Sequence, residues 1–252
     1  MAAPKIALQL FSLREIYRRD PMEALKMCRA AGYEYVELHH GITYSAKEQK
    51  RMLDDAGLKC GGWHTNFIYS SPGMLEEYVR YNETIGNKYV IIAMLPGEYT
   101  KNGRDGWMRA ADKLNAVAAM FAPYGIYTGL HTHKEEFIRV EETGELPWDI
   151  IAKNTDERVV LQLDMGNTAH AGVDPVPELL KYPGRYRTIH VKPHTKETGY
   201  AALFGVGDID YDTSIKFCQN QGNTDVYVIE YEQPDAVEKI KPCYETFQNY
   251  FK

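Results

Sequence analysis

The chain has 252 residues, of which 44% are hydrophobic and 25% charged, with a formal net charge of −6. That length and balance suit one packed α/β domain over 1–252 and are long for a single sandwich or helix bundle. The acidic balance, with no run of Lys and Arg, argues against nucleic acid, and no apolar stretch approaches the ~18–20 residues of a membrane span.

In chain order, the opening MAAPKIALQLFSL lacks the basic and long apolar segments of a signal peptide. It reads as a first strand, KIALQLF (5–11), and a cytoplasmic location is expected. DPMEALKMCRAAG follows as a helix, with Asp20 as cap, Pro21 at the first position, Glu23 closing a capping box and Gly32 as stop. YEYVEL (33–38) is the second strand. SAKEQKRMLDDAG repeats the helix grammar, with Ser45 as cap, Glu48 as box and Gly57 as stop. LKCGGWH (58–64) reads as a weaker strand, because two glycines interrupt it. Pro72 opens a helix that ends near Gly86. KYVIIAM (88–94) is β-branched and apolar on both faces, as a strand of a parallel sheet buried on two sides should be.

A long helix over 106–124 ends at Gly125, and IYTGLHTH (126–133) is strand five. PWDIIAKN is a short helix, RVVLQLD (158–164) strand six and DPVPELLKY a helix. RTIHVK (187–192) is strand seven, followed by a helix that Asp212 caps and Gly222 ends. VYVIEYE (226–232) is strand eight, and Asp235 and Glu238 box the last helix. Eight strands alternating with eight helices demand parallel pairing and match a (β/α)₈ TIM barrel. An open doubly wound sheet shares the local signals, but the count favours the barrel. The four cysteines (Cys28, Cys60, Cys218, Cys243) form no C-x-x-C and are expected reduced and buried.

In such a barrel, chemistry gathers at the C-terminal ends of the strands. Those ends carry Glu37 and His39, His64, His131 and His133, Asp164, His190 and Lys192, and Glu230 and Glu232, with Glu136 just past strand five. Residues two apart on a strand share a face, so His131 and His133, His190 and Lys192, and Glu230 and Glu232 pair up. One such residue alone is more often a packing or capping group than a ligand. Five or more on one rim are costly unless paired or metal-bound. A His/Asp/Glu set without cysteine suits Mn²⁺, Mg²⁺, Fe²⁺, Co²⁺ or Zn²⁺.

These residues stand in segments that resemble the xylose isomerase-like TIM barrels, the sugar phosphate isomerase/epimerase superfamily. ALQLFSLRE is similar to that family's QLYSVRD, AAGYEYVEL to xxGYxxVEL, and GLHTHKEEF to GYHNHxxEF. LQLDMGNTAHAGVDP is similar to xxDxxWxxxAGxDP, TIHVKP to LHVKD, GVGDIDY to VGEGxID and VIEYE to xVExE. The matches run over nearly the whole chain, and their order and spacing carry the resemblance.

The resemblance implies one divalent ion, most often Mn²⁺, on Asp164, His190 and Glu230, with Glu136 as the strand-five ligand and His131 as the alternative. It implies His131, His133, Glu230 and Lys192 as catalytic groups, although Lys192 can equally serve only to pair a carboxylate. Arg14, Glu37, His39 and His64 are candidates for contacts to substrate hydroxyls, weighed against structural roles. Two departures stand out: Pro193 replaces the aspartate after HVK, and Asn167 stands where the epimerases place a histidine.

The implied reaction is isomerisation or epimerisation of a keto-sugar or related polyol through a metal-stabilised enediolate. The alternative is a lyase or dehydratase on 3-keto sugars or inososes, including glycoside cleavage by elimination. No Gly-rich phosphate loop is present, so the substrate need not be phosphorylated. The expected partner is a small carbohydrate, with no nucleic acid and no membrane. A homo-oligomer or a partner subunit remains open. A non-catalytic carbohydrate-binding barrel is the third hypothesis, and the intact acid–histidine–acid series argues against it.

Overall fold

The computed structural model describes residues 4–39, 41–66 and 72–252; the first three residues of the opening stretch lie outside them. Strands β1 (Lys5–Gln9), β2 (Tyr35–Leu38), β3 (Lys59–Thr65), β4 (Tyr89–Ile92), β5 (Tyr127–His131), β6 (Val159–Gln162), β7 (Thr188–Val191) and β8 (Val226–Ile229) form one sheet. Its order is β6-β5-β4-β3-β2-β1-β8-β7, all parallel. A parallel bridge between Asp164 and His190 joins β6 to β7 and closes the ring. The architecture is the eight-stranded TIM barrel expected from the alternating pattern. The helices are α1 (Arg14–Arg19), α2 (Pro21–Ala30), α3 (Ala46–Asp55), α4 (Leu75–Ile85), α5 (Gly97–Thr100), α6 (Gly103–Phe121), α7 (Pro147–Asn154), α8 (Met165–His170), α9 (Pro175–Leu180), α10 (Tyr211–Phe217) and α11 (Ala236–Gln248). Among the described residues no helix is long and apolar enough to cross a membrane. All four cysteines are free and buried.

The local grammar holds in most places and fails in three. Ser45 and Glu48 form the full capping box at α3. At α2, Asp20 accepts from the Glu23 N–H, but the Glu23 carboxylate turns to Arg19, so no box closes. At α10 the cap is Asp210, not Asp212. At α11, Asp235 caps nothing with its side chain and accepts from the Tyr231 hydroxyl instead. In each case a nearby donor or carboxylate competes for the same hydrogen bond.

The expectation of a weak third strand is also corrected, since β3 is a full seven-residue strand. Its two glycines mark a bulge: the β2–β3 register passes from Val36↔Cys60 to Glu37↔Gly62, leaving Gly61 as the extra residue. A Cβ on Gly62 would stand 2.5 Å from Glu37 Oε1. The glycine is there because a buried carboxylate lies against its backbone.

Two apolar regions flank the strands. The larger packs between sheet and helices, with Leu8, Val36, Trp63, Leu114, Trp148, Ile189 and Ile229 among its buried members. A smaller one (Ala7, Tyr89, Ile91, Val160, Val226 and Val228) fills the lower barrel. Side-chain alternation carries the inward face from these residues to polar ones nearer the strands' C-terminal ends. Ala7 is followed by Gln9, Val160 by Gln162 and Asp164, and Val228 by Glu230 and Glu232. The barrel interior thus changes from apolar to ionisable along its axis.

Candidate active site

A buried hydrogen-bonded layer spans the upper barrel. Glu37 on β2 lies at its centre and is fully buried. It accepts from Gln9 Nε2 at 2.7 Å, Gln162 Nε2 at 3.0 Å and His190 Nε2 at 2.7 Å, and it lies 3.0 Å from His64 Nε2. Burial alone would raise its carboxyl, but the His64 and His190 imidazoles outweigh that and hold it below the ordinary carboxylate range. The ordering is strict because a buried charge without such partners would cost several kcal/mol, on the order of the desolvation penalty of one ion.

Above this layer, donor atoms of His131, Asp164, His190 and Glu230 converge within 4.8 Å of one another. His190 Nδ1 is 3.0 Å from Glu230 Oε2 and 3.6 Å from Asp164 Oδ2. His131 Nε2 is 3.9 Å from that same Asp164 oxygen. Asp164 caps α8 with one oxygen, which accepts from the Asn167 N–H at 2.7 Å. Its other oxygen, Oδ2, is buried and has no hydrogen-bond partner among the described residues. A buried carboxylate oxygen left unpaired is a departure that needs an occupant. Two carboxylates and two imidazoles, no thiolate, and one orphaned oxygen facing three other donors together fit a divalent cation of the Mn, Fe, Co or Zn kind. His190 Nε2 is already tied to Glu37, which leaves Nδ1 for the ion, as the outer partners of metal-bound histidines commonly arrange.

The charges around the cluster run in opposite directions. Burial pushes the His131 imidazole well below its ordinary value, helped by His190, His64, His133 and Lys192, so its ring stays neutral. His133 is lowered by burial as well. For His190, burial opposes protonation, but the Glu37, Asp164 and Glu230 carboxylates win and push it well above its ordinary value. Burial likewise opposes ionisation of Glu230, and the Lys192 ammonium and His190 overcome it, lowering the carboxyl well below its usual range. Lys192 is buried, pairs with Glu232, lies 3.8 Å from Glu230 Oε2 and sits 4.6 Å over the Tyr200 ring. A Cβ on Gly166 would meet the Lys192 carbonyl at 2.8 Å and its Cβ at 2.9 Å, so a glycine is needed for Lys192 to pass.

The structure brings most of the strand-end residues together. A cavity of about 220 Å³ opens beside the cluster. Its described lining includes Phe11, His39, His64, His131, His133, Met94, Glu230 and Glu232. His39 and His64 therefore face this cavity. Glu37 lies beneath it, with its oxygens taken up by the layer. Arg14 stacks its guanidinium on the Phe11 ring, 4.6 Å from the centroid, donates to the Phe11 carbonyl, and does not line the cavity. Glu136 is not brought into the cluster. Its carboxylate folds back to accept the His133 N–H at 2.7 Å, and His131 takes the fourth place.

Three contributors escape a reading of ionisable strand ends alone: Gln9, Gln162 and Tyr200. Gln162 links four strands, and Tyr200 donates to Asn167 Oδ1 at 2.8 Å, while Asn167 Nδ2 donates to the Thr132 carbonyl. Asn167 thereby ties the Asp164 turn to the loop after β7. A glutamine closing an apolar strand, as in KIALQ and VVLQ, is the signal that marks the first two.

Residues 25–245 match the xylose isomerase-like TIM barrel family. An inosose dehydratase of Clostridium botulinum is 23% identical, with the match covering 85% of this chain and 83% of the relative. An inosose dehydratase of Clostridium perfringens (strain 13) is 25% identical and covers 82% and 80%. A solved sugar phosphate isomerase/epimerase from Parabacteroides distasonis superposes with a TM-score of 0.81 at 25% identity, covering 99% of this chain and 100% of that one. The IOLI protein with a bound zinc atom superposes with a TM-score of 0.70 at 18% identity, covering 98% and 97%. With most of its length matched, this chain belongs to the xylose isomerase-like TIM barrel family, an enzyme family with isomerase, epimerase and dehydratase members.

Proposed function

We propose that the chain is a divalent-metal-dependent isomerase or epimerase that removes a proton beside the carbonyl of a keto-sugar or related polyol. The observation that carries this reading is the convergence of His131, Asp164, His190 and Glu230 around the unpaired Asp164 Oδ2. These four residues would hold the ion, and a zinc-bound relative of the same fold supports a metal there. Such an ion, when bound, supplies Lewis-acid polarisation of a substrate carbonyl.

The rest of the chemistry belongs to the side chains. Glu37 holds the His190 ring through Nε2, which keeps Nδ1 turned to the cluster. His133 and Glu230 both line the cavity and are candidate proton carriers for a substrate lying in it. A neutral His133 or the ionised Glu230 can take a proton, and the group that has taken it can return it at the neighbouring carbon. Lys192 keeps Glu230 ionised and is itself a donor beside the cavity. His39 and His64 are placed to contact substrate hydroxyls.

A second reading, elimination of water or an alcohol from a 3-keto sugar or inosose, is favoured by the curated relatives named inosose dehydratases. It starts with the same proton removal, and Lys192 is a cation beside which a leaving oxygen could be protonated. Incubating the metal-loaded enzyme with a panel of ketoses, inososes and 3-keto-glycosides in D₂O separates the two. An isomer or epimer carrying deuterium supports the first reading, and an unsaturated product with a departed oxygen supports the second. No deuterium in any recovered compound and no product contradicts both.

A further inference from the structure

We infer that Gln162 is a positioning residue that sets the tautomer of His131, its amide held in one direction by Glu37 and His64. Gln162 ends β6 and is fully buried. Its Nε2 lies 3.0 Å from Glu37 Oε1 and 2.9 Å from Thr188 Oγ1. Its Oε1 lies 2.6 Å from His64 Nε2 and 2.9 Å from His131 Nδ1. An amide has two N–H donors and one oxygen with two lone pairs, so all four positions are used.

The direction of the amide follows from its neighbours. Turned the other way, its oxygen would stand 3.0 Å from a carboxylate oxygen with no hydrogen between them. His64 gives a second, independent argument. Its Nε2 is also 3.0 Å from Glu37 Oε2, so that nitrogen must carry a hydrogen. A hydrogen on His64 Nε2 is compatible with the amide oxygen at 2.6 Å and incompatible with an amide N–H there. With the oxygen facing the imidazoles, its remaining lone pair receives the hydrogen of His131 Nδ1. A neutral imidazole carries one hydrogen, so the bare nitrogen of His131 is Nε2. That is the nitrogen 3.9 Å from Asp164 Oδ2. One buried amide therefore turns the usable lone pair of His131 into the cluster, while Glu37 leaves His64 with its lone pair on Nδ1.

The tautomer assignment stands on hydrogen-bond geometry, and only its consequence for ion binding rests on the proposed function. The test is long-range ¹H–¹⁵N correlation of ¹⁵N-histidine-labelled protein, with Mn²⁺ or Zn²⁺ affinity measured by calorimetry on unlabelled samples. In the metal-free wild type, the expected spectrum has His131 protonated at Nδ1 and His64 at Nε2. Gln162→Leu should lose the preference at His131 and bind the ion roughly 10–100-fold more weakly, the usual effect of removing an outer partner of a ligand. His131 protonated at Nε2 in the wild type, or its tautomer unchanged in Gln162→Leu, would overturn the assignment. The wild-type spectrum alone decides it should Gln162→Leu fail to fold. Correct tautomers in a protein that binds no divalent ion would count against the proposed function and leave the role of Gln162 standing.

Discussion

Replacing Gly62 with alanine tests how the fold carries the site. The new Cβ would stand 2.5 Å from Glu37 Oε1, 3.2 Å from its Cγ and 3.3 Å from its Cδ. That cannot be absorbed by a flexible tip, because Glu37 is fully buried and holds Gln9, Gln162 and His190. Overpacking of this kind costs ~1–3 kcal/mol. Moving the carboxylate also weakens at least one hydrogen bond to a charged group, worth ~1.5–3 kcal/mol. We expect a combined loss of about 2–5 kcal/mol in urea unfolding, most of it from these two effects. Freed from Glu37, the His190 ring should hold a divalent ion ~10–100-fold more weakly. Gly61→Ala is the matched control. The atoms nearest its Cβ would be Ala7, Tyr35 and Val226 carbons, each at 3.3 Å, so it should lose less stability and keep ion affinity. Equal effects of the two substitutions on ion affinity would refute the reasoning.

Replacing His133 with Gln should leave ion content intact and lower turnover by ~10²-fold or more, as loss of a proton carrier does. The same change at His131 should lower ion affinity too, and unchanged affinity in His131→Gln would exclude it from the ion's shell. Lys192→Met leaves Glu230 and Glu232 facing each other without their cation, and should cost about 3–5 kcal/mol in denaturant unfolding as well as activity; a variant of wild-type stability would show that the pair contributes little. Burial pushes the Glu136 carboxyl from 4.5 up to about 8, so the fold favours its protonated form. Its contribution to stability is fully present below pH 4.5 and lost as pH rises through about 8. Glu136→Gln should therefore flatten the fall of stability across that window while leaving ion content unchanged, and an unaltered slope would contradict the burial argument.

The alternation of strands and helices was legible because each helix announces its ends. Ser45 with Glu48 and the glycines after α2, α3, α4 and α6 are local chemistry that tertiary contacts leave alone. The site residues were legible for a different reason: an ionisable group at the end of an apolar strand has no cheap solution except a partner. Placement within the site was less so. Glu136 and His131 lie five residues apart, and only the turn after β5 decides which faces the cluster. Glu37 and His64 look alike as strand-end polar residues, yet across the register shift at Gly61 one lies beneath the cavity and the other on its wall. The double glycine itself was visible as a break in a strand. Its cause lies across the sheet, in a carboxylate that sequence neighbours do not reveal.

The reaction proposed for this candidate ion-holding cluster is removal of a proton beside a substrate carbonyl. The most direct test is solvent deuterium exchange into a reactive ketose or inosose, measured alongside metal content in the wild type and Asp164→Ala. Asp164 contributes the unpaired oxygen, so its loss should empty the cluster. The wild type should carry about one divalent ion per chain and exchange one carbon-bound hydrogen next to the carbonyl. Chelation should stop that exchange, and Asp164→Ala should neither hold the ion nor exchange. Full ion occupancy in Asp164→Ala, or exchange that persists at the wild-type rate after the ion is removed, would contradict the claim.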